Sequence, residues 1–150
     1  SICRALLRIV SAHEDVEILY PLHPNPSVQI TARRILRHPR IRLAAPMDYS
    51  DFLASMEQAC LILTDSGGIQ EEAPSFGKPV IVLRQVTERP EAALAGAAFI
   101  AGTDEKKIAA LTSRLLSDPK LYRRMASVPN PFGDGKASRR ITAAILRYFL

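Results

Sequence analysis

Two short apolar runs constrain the fold of this chain more than any other feature. Residues 60–64 (CLILT) and 80–83 (VIVL) are too short for buried helices, and turn residues follow each of them. Runs of this kind are typical of strands that are buried on both faces of a parallel sheet. Because helical segments alternate with them along the chain, the pattern predicts a doubly wound α/β fold, a parallel sheet with helices on both faces.

The remaining segments continue this alternation. The apolar spacing and the turn residues predict strands over 17–20, 41–43 and 97–100. They predict helices over 1–12, 27–37, 49–58, 104–116, 118–126 and 136–149. One further helix is predicted from the glycine turn to about residue 76, and a short one begins at residue 90. A chain of 150 residues with 47% hydrophobic residues has the material for one domain with a sizeable core. No linker divides the chain, so we expect residues 1–150 to form a single domain.

The composition argues against several classes of protein. No run of eighteen apolar residues exists, which argues against a transmembrane helix, and the N-terminal segment lacks the pattern of a signal peptide. Cys3 and Cys60 lie in unlike contexts without the spacing of a metal site. We interpret them as reduced thiols of a cytoplasmic protein.

The basic residues are clustered. The net charge is +5, no carboxylate lies between Glu17 and Asp48, and five arginines fall within ten residues: Arg33, Arg34, Arg37, Arg40 and Arg42. Such a patch can bind the phosphates of nucleic acid. However, the chain has no Trp and few other aromatic residues to stack on bases. A solvated helix face is the favoured interpretation, and we expect no nucleic-acid partner.

The strongest candidate for a ligand site follows CLILT. Open parallel sheets bind ligands at the carboxyl ends of their strands, and Ser66, Gly67 and Gly68 lie there at a turn into a helix. Two glycines let a ligand approach the backbone, and free N–H groups at a helix start attract phosphate. A tight turn in which Ser66 only caps the helix is an equally weighted alternative.

Acidic residues follow this turn. Glu71 and Glu72 in the first turn of the helix complement its dipole, but they would repel a neighbouring phosphate. A carboxylate beside an anion site is better suited to accept hydrogen bonds from paired hydroxyls, as on a ribose. The spacing does not choose between the two glutamates.

Arg89 and His23 are two further candidates. Pro90 keeps Arg89 in an extended loop at the start of the next helix, where its guanidinium can pair with an anion. From the residues alone, a surface arginine paired with Glu88 or Glu91 is the favoured alternative. His23 is held between two β-biased stretches by Pro24 and Pro26, faces the same strand ends and is a weaker candidate.

An ordered set of motifs resembles a known family. HPNPSV (23–28), PMDYSDF (46–52), LTDSGGIQEEAPSFGKPVIVLR (63–84), TERPEA (87–92), GT (102–103) and NPFGDG (130–135) resemble the bacterial non-hydrolysing UDP-N-acetylglucosamine 2-epimerases. The resemblance extends over essentially the whole chain. It implies the glycosyltransferase-B architecture of two Rossmann-like domains, with this chain as a truncated C-terminal, nucleotide-binding domain whose first strand is missing. The absent strand is expected to leave a sheet edge unpaired.

The resemblance also assigns residues. It implies that the backbone near Met47 and the side chain of Phe52 contact uracil, although family members often have Gln at the Met47 position. It further implies that the diphosphate lies on Ser66, Gly67 and Gly68, that Glu72 holds the ribose and that Arg89 lies in the same site. His23 matches a position near a second, activating nucleotide-sugar.

The reaction that the resemblance implies is epimerisation at C2 by elimination and re-addition of UDP, with no metal and no cofactor. The C2 acid and base belong to the N-terminal domain in that family, so no catalytic residue is expected in this chain, and the isolated chain is expected to be inactive. UDP or UDP-N-acetylglucosamine is the implied ligand, with a homodimer and no membrane partner. A UDP-binding fragment without activity, a structural remnant and a hydrolysing epimerase are the alternatives, and a glycosyltransferase of the same architecture is a more distant one.

Overall fold

The structure is a computed structural model that describes residues 1–149. Its helices are α1 (Ile2–Ala12), α2 (Pro26–Ile35), α3 (Tyr49–Gln58), α4 (Gly67–Glu72), α5 (Pro90–Leu94), α6 (Glu105–Ser117), α7 (Pro119–Ala126) and α8 (Ala137–Phe149). Its strands are β1 (Ile18–Pro21), β2 (Ile41–Ala44), β3 (Ile62–Thr64), β4 (Val80–Val82) and β5 (Ala98–Ile100). A 3-10 turn, Ala73–Phe76, continues α4.

All strand pairs are parallel, but the strands form two separate sheets. β1 pairs with β2, and β3, β4 and β5 pair in that order. β1 and β3 are not hydrogen-bonded to each other, so each has one unpaired edge within residues 1–149. The predicted α/β fold with parallel strands is confirmed.

The interpretation of CLILT as a strand buried on both faces is wrong. Ile62 and Leu63 are only partly buried, and of the three β3 residues only Thr64 is fully buried. The physical reason is position, since β3 lies at an edge of its sheet. β4 lies between two strands, and all three of its residues are buried, as VIVL predicts.

One apolar cluster contains side chains from both sheets. The helix α1 contributes Ala5, Leu6, Ile9 and Val10, which recur at helical spacing and pack against the cluster. Ile18 and Leu43 join it from the first sheet, and Leu63 and Ile81 from the second. α1 also packs against α6. The core therefore continues across the gap between the sheets.

Local signals explain where the helices begin and end. Aspartates at three N-caps accept hydrogen bonds from the first turn of α3, α6 and α7: Asp48, Asp104 and Asp118. Gly77 adopts φ +62° after the 3-10 turn and ends it. α8 buries none of its residues. Within residues 1–149, no helix is both long enough and apolar enough to cross a membrane.

Candidate functional site

The loops that follow β3 and β4 lie side by side. β3 is paired in parallel with β4, so their carboxyl ends lie at the same edge of the sheet. A Cβ built on Gly67 would lie 3.9 Å from Arg89 Cζ and 4.0 Å from Arg89 Nη2. The structure therefore brings the guanidinium of Arg89 to the mouth of α4, as the sequence predicts.

The fold itself does not require glycine at the start of α4. The glycines with positive φ do not include Gly67 or Gly68. A Cβ on Gly68 would have only the hydroxyl of Ser66, at 4.0 Å, as its nearest neighbour. Glycine in a helix costs about 1 kcal/mol relative to alanine. Two glycines that neither conformation nor packing demands leave the helix mouth open to a ligand.

Ser66 occupies the N-cap position, but its side chain does not cap the helix. Its backbone N–H donates to Thr64 Oγ1 at 3.0 Å, which fixes the turn. The alternative of a tight turn with Ser66 at the N-cap therefore gives its position correctly, although the side chain makes no capping hydrogen bond. The hydroxyl remains available to a ligand at the mouth of α4.

Arg89 pairs with an acidic residue that the sequence did not single out for it. Its Nε donates to Glu71 Oε1, and its Nη1 donates to the carbonyl of Glu88 at 3.1 Å. The favoured alternative of a pair with the carboxylates of Glu88 or Glu91 is therefore wrong. The hydrogen bond and the charge of Glu71 raise the pKa of Arg89 above its ordinary value. The guanidinium therefore stays charged, and the Arg89 side chain is 37% exposed.

The two glutamates of α4 have different partners. Glu71 is engaged by Arg89, whereas Glu72 Oε1 accepts a hydrogen bond from the Tyr49 hydroxyl at 3.1 Å. The same bond raises the pKa of Tyr49, because ionisation would place two negative charges together. Tyr49 thereby brings the start of α3 next to α4. The structure thus distinguishes the two glutamates by their partners.

The segment around Met47 and Phe52 lies at the start of α3. Asp48 caps this helix by accepting from Asp51 N at 3.0 Å, and this bond lowers the pKa of Asp48. The Ser55 hydroxyl lies 3.7 Å from Met47 Sδ. Phe52 is partly buried. Both residues are thus held on the element that Tyr49 connects to Glu72.

His23 lies apart from these residues. It is exposed, just beyond the end of β1, and its Nδ1 accepts a hydrogen bond from Asn25 N at 3.1 Å. The hydrogen bonds of the described part of the chain do not connect His23 with Ser66 or Arg89.

Three polar residues that connect the loops of the site cannot be singled out from the sequence alone: Gln70, Thr87 and Asn130. Gln70 is 1% exposed and bonded to Ser66 and Thr87. Asn130 donates to the Glu71 carbonyl at 3.0 Å and to Ser75 Oγ at 2.6 Å. The NPFGDG motif signalled that its loop matters, but not that the loop packs against α4. The i, i+4 spacing of Ser66 and Gln70 was the available signal for Gln70.

The arrangement favours an anionic ligand with hydroxyl groups. Amide, hydroxyl and guanidinium donors converge at the mouth of α4, and a carboxylate lies one helical turn further along. Within residues 1–149, no group of three or more His, Cys, Asp or Glu side chains could hold a metal ion.

The sequence is similar to known proteins over almost its whole length. Residues 1–146 match the family model described as UDP-N-acetylglucosamine 2-epimerase. The UDP-N-acetylglucosamine 2-epimerase of Salmonella typhimurium is 50% identical over 148 residues, which cover 98% of this chain and 39% of the relative. The Escherichia coli K12 protein of the same name is 50% identical over 145 residues, 96% of this chain and 39% of the relative.

Solved structures show the same likeness. The structure of S. aureus MnaA with UDP has a TM-score of 0.92 and 46% identity, over 98% of this chain and 40% of that chain. The UDP-GlcNAc 2-epimerase from Neisseria meningitidis bound to UDP-GlcNAc has a TM-score of 0.92 and 39% identity, over 97% and 40%. The chain thus spans about 40% of the length of these relatives. It belongs to the UDP-N-acetylglucosamine 2-epimerase family.

Proposed function

We propose that this chain is the UDP-binding part of a UDP-N-acetylglucosamine 2-epimerase and forms one Rossmann-like domain of that enzyme. The observation that carries the proposal is the convergence of Ser66, the two glycines and Arg89 at the mouth of α4. Support comes from a relative of similar structure that was solved with UDP. We assign the activity, the substrate, the cytoplasmic location and the assembly into a homodimer to the longer protein of which this chain is a part.

The diphosphate is held by donors at the mouth of α4. The hydroxyl of Ser66 and the amides of Gly67 and Gly68 hydrogen-bond its oxygens, and Arg89 supplies the positive charge. Glu71 holds Arg89 in place before the ligand arrives. The phosphate then competes with Glu71 for the guanidinium, so binding exchanges one ion pair for another.

The nucleoside extends toward α3. Glu72 accepts hydrogen bonds from the ribose hydroxyls through the carboxylate oxygen that Tyr49 does not use. Phe52 packs near the uracil, and the backbone around Met47 hydrogen-bonds its edge. Met47 has no side-chain amide, so the reading of the base rests on backbone groups. His23, at the end of the other sheet, belongs to a second nucleotide-sugar site.

The chemistry needs a stabilised leaving group. The bond between C1 of the sugar and the diphosphate oxygen breaks, a proton leaves C2, and a glycal-like intermediate forms. UDP then adds back to C1 while a proton adds to the opposite face of C2. Donors and positive charge around the diphosphate stabilise the departing anion. The acid and base at C2 lie in the part of the enzyme outside this chain, and no metal or organic cofactor takes part.

A titration tests the binding of UDP. We expect the chain to bind UDP with a micromolar Kd, and the Ser66→Ala/Arg89→Ala variant to lose at least about 100-fold, since two charge-assisted contacts are removed. Arg33→Ala, on the exposed face of α2, is the control for a change of net charge and should bind as the unchanged chain does. Absence of binding at millimolar UDP would instead identify a structural remnant.

A chimera tests the reaction. The chain replaces the matching part of the E. coli relative, to which it is 50% identical over 145 residues. We expect the chimera to convert UDP-N-acetylglucosamine to its 2-epimer and the chain alone to show no turnover. Release of free N-acetylmannosamine and UDP would identify a hydrolysing enzyme instead, and turnover by the chain alone would show that the C2 acid and base lie within it.

A further inference from the structure

A buried amide lies beneath the candidate diphosphate site. Gln70 is 1% exposed and lies one turn after Ser66 in α4. Its Nε2 donates to the carbonyl of Ser66 at 3.2 Å, and its Oε1 accepts from the hydroxyl of Thr87 at 2.6 Å. A polar side chain so deeply buried persists only because both of its ends are satisfied. The amide therefore connects the loop after β3 to the loop after β4.

The partners fix the orientation of this amide. A backbone carbonyl can only accept, so the group that faces Ser66 must be the NH₂ of Gln70. The carbonyl oxygen of Gln70 then faces Thr87, and the Thr87 hydroxyl must donate to it. A flipped amide would place two acceptors against each other at Ser66.

Thr87 connects Gln70 to the backbone of Arg89 through hydrogen bonds. The Thr87 hydroxyl donates its proton to the hydrogen bond with Gln70, so a lone pair on Thr87 Oγ1 remains to accept another hydrogen bond. The backbone N–H of Arg89 donates to Thr87 Oγ1 at 3.0 Å. The hydrogen bonds therefore run in one direction, from the Arg89 amide through Thr87 and Gln70 to the Ser66 carbonyl.

Most of the neighbouring residues in the loop after β4 are exposed. Arg84, Gln85, Val86 and Glu88 are exposed, and Val86 is 80% exposed. Arg89 itself is the first residue before α5 and does not cap that helix with its side chain. The position of its guanidinium, near Gly67, thus depends on its ion pair with Glu71 and on where Thr87 holds its backbone.

We propose that Gln70 and Thr87 are positioning residues that hold Arg89 against the mouth of α4 through this hydrogen-bonded relay, so that its guanidinium meets the diphosphate. The inference rests on the proposed function and deepens it, because it names what orients the cation of that site. Neither residue touches the ligand; both act through Arg89.

Thr87→Val and Thr87→Ser form a matched pair that tests the relay. Valine keeps the shape but removes the hydroxyl, and serine keeps the hydroxyl. We expect Thr87→Val to raise the Kd for UDP about tenfold, the effect of one lost hydrogen bond, and Thr87→Ser to stay within about twofold. Uridine, which has no phosphate, should bind both variants as it binds the unchanged chain. A parallel loss of uridine and UDP binding would show that Thr87 has a merely structural role.

A double-mutant cycle tests the path through Arg89. Thr87→Val should cost nothing further in an Arg89→Ala background, and Gln70→Met should match Thr87→Val without adding to it. Amide exchange at Arg89 should accelerate in Thr87→Val, a readout that does not need the ligand. If the unchanged chain and the chimera both fail to bind UDP, the proposed function falls. If they bind and Thr87→Val binds equally well, only the relay is overturned, as it is if the losses of Thr87→Val and Arg89→Ala are additive.

Discussion

Gly67 begins α4, and Gly77 ends the 3-10 turn that continues it. Gly77 has φ +62°, and a Cβ there would lie 3.1 Å from the carbonyl oxygen of Ala126. Gly67 has neither a positive φ nor a close neighbour. The backbone thus requires one glycine, and we attribute the other to the proposed approach of a ligand.

Alanine at each position separates these two reasons. Gly77→Ala should lower the free energy of unfolding by about 1–2 kcal/mol, because the left-handed region is unfavourable for residues with a Cβ. Gly67→Ala should keep or raise stability, by up to about 1 kcal/mol, through its better helix propensity, but weaken UDP binding. Urea denaturation and UDP titration of both variants measure the two effects. Equal UDP affinity of Gly67→Ala and the unchanged chain would contradict the assigned close approach.

Single polar side chains were the hardest residues to assign from sequence. Arg40 was grouped with the exposed arginine patch, but its guanidinium donates to the carbonyls of Val10, His13 and Val16 at the end of α1. Gln70 looks like any helical glutamine until its neighbours are known. The positions of Ser66 and Arg89 could be predicted because glycine and proline mark loops locally. A partner 17 or 30 residues away leaves no such mark.

Whole elements were predicted more closely than single contacts. The predicted helix over 49–58 has the observed bounds of α3, and most other predicted strands and helices lie within about two residues of the observed ones. The helix predicted to reach about residue 76 ends at Glu72 and continues as the 3-10 turn Ala73–Phe76. The reason is that aspartate caps and helix-opening prolines act locally. Asp118 ends α6 and begins α7, so one residue sets two boundaries.

The cap at Asp118 predicts a pH dependence of stability. Its Oδ1 accepts from Leu121 N and Lys120 N, each at 3.0 Å, and these bonds lower its pKa below 3.8. A group whose folded pKa is depressed stabilises above its unfolded pKa, and this contribution is lost as the pH falls through the folded value. The Tm of Asp118→Ala should therefore lie below that of the unchanged chain at pH 7, and the difference should shrink toward pH 2.

Asp118→Asn is the matched control, because asparagine caps helices without a titrating charge. The difference in Tm between Asp118→Asn and Asp118→Ala should remain when the pH is lowered. A difference between the unchanged chain and Asp118→Ala that is the same at pH 7 and pH 2 would show that the carboxylate form contributes nothing to the cap.

At the scale of the whole molecule, the two sheets share the larger of the apolar clusters. Side chains from both sheets join the cluster on which α1 packs, although β1 and β3 exchange no hydrogen bonds. The sequence predicts parallel strands because apolar runs alternate with helices. It does not contain the order of strands across a sheet, which long-range packing decides. The partial exposure of β3 follows from that order.

The unpaired edges predict a pattern of amide exchange. Ile18 N and Ile62 N donate to Arg40 O at 2.9 Å and Pro79 O at 3.0 Å, toward the paired side of β1 and β3. The next amides, Leu19 and Leu63, point to the opposite edge, since successive groups of a strand alternate in direction. We expect Leu19 and Leu63 to exchange at least about tenfold faster than Ile18 and Ile62 in a dilute sample.

The dependence of amide exchange on chain concentration distinguishes open strand edges from edges that another copy of the chain covers. Equal protection of the four amides at every dilution would contradict open edges in β1 and β3. Protection of Leu19 and Leu63 that rises with chain concentration would show that copies of the chain cover these edges by pairing, which exposed strand edges favour. The amides of β4, which has a neighbour on each side, serve as the internal reference and should stay protected at all concentrations. The exchange rates of the Leu19 and Leu63 amides therefore measure whether the edges of β1 and β3 between the two sheets are open.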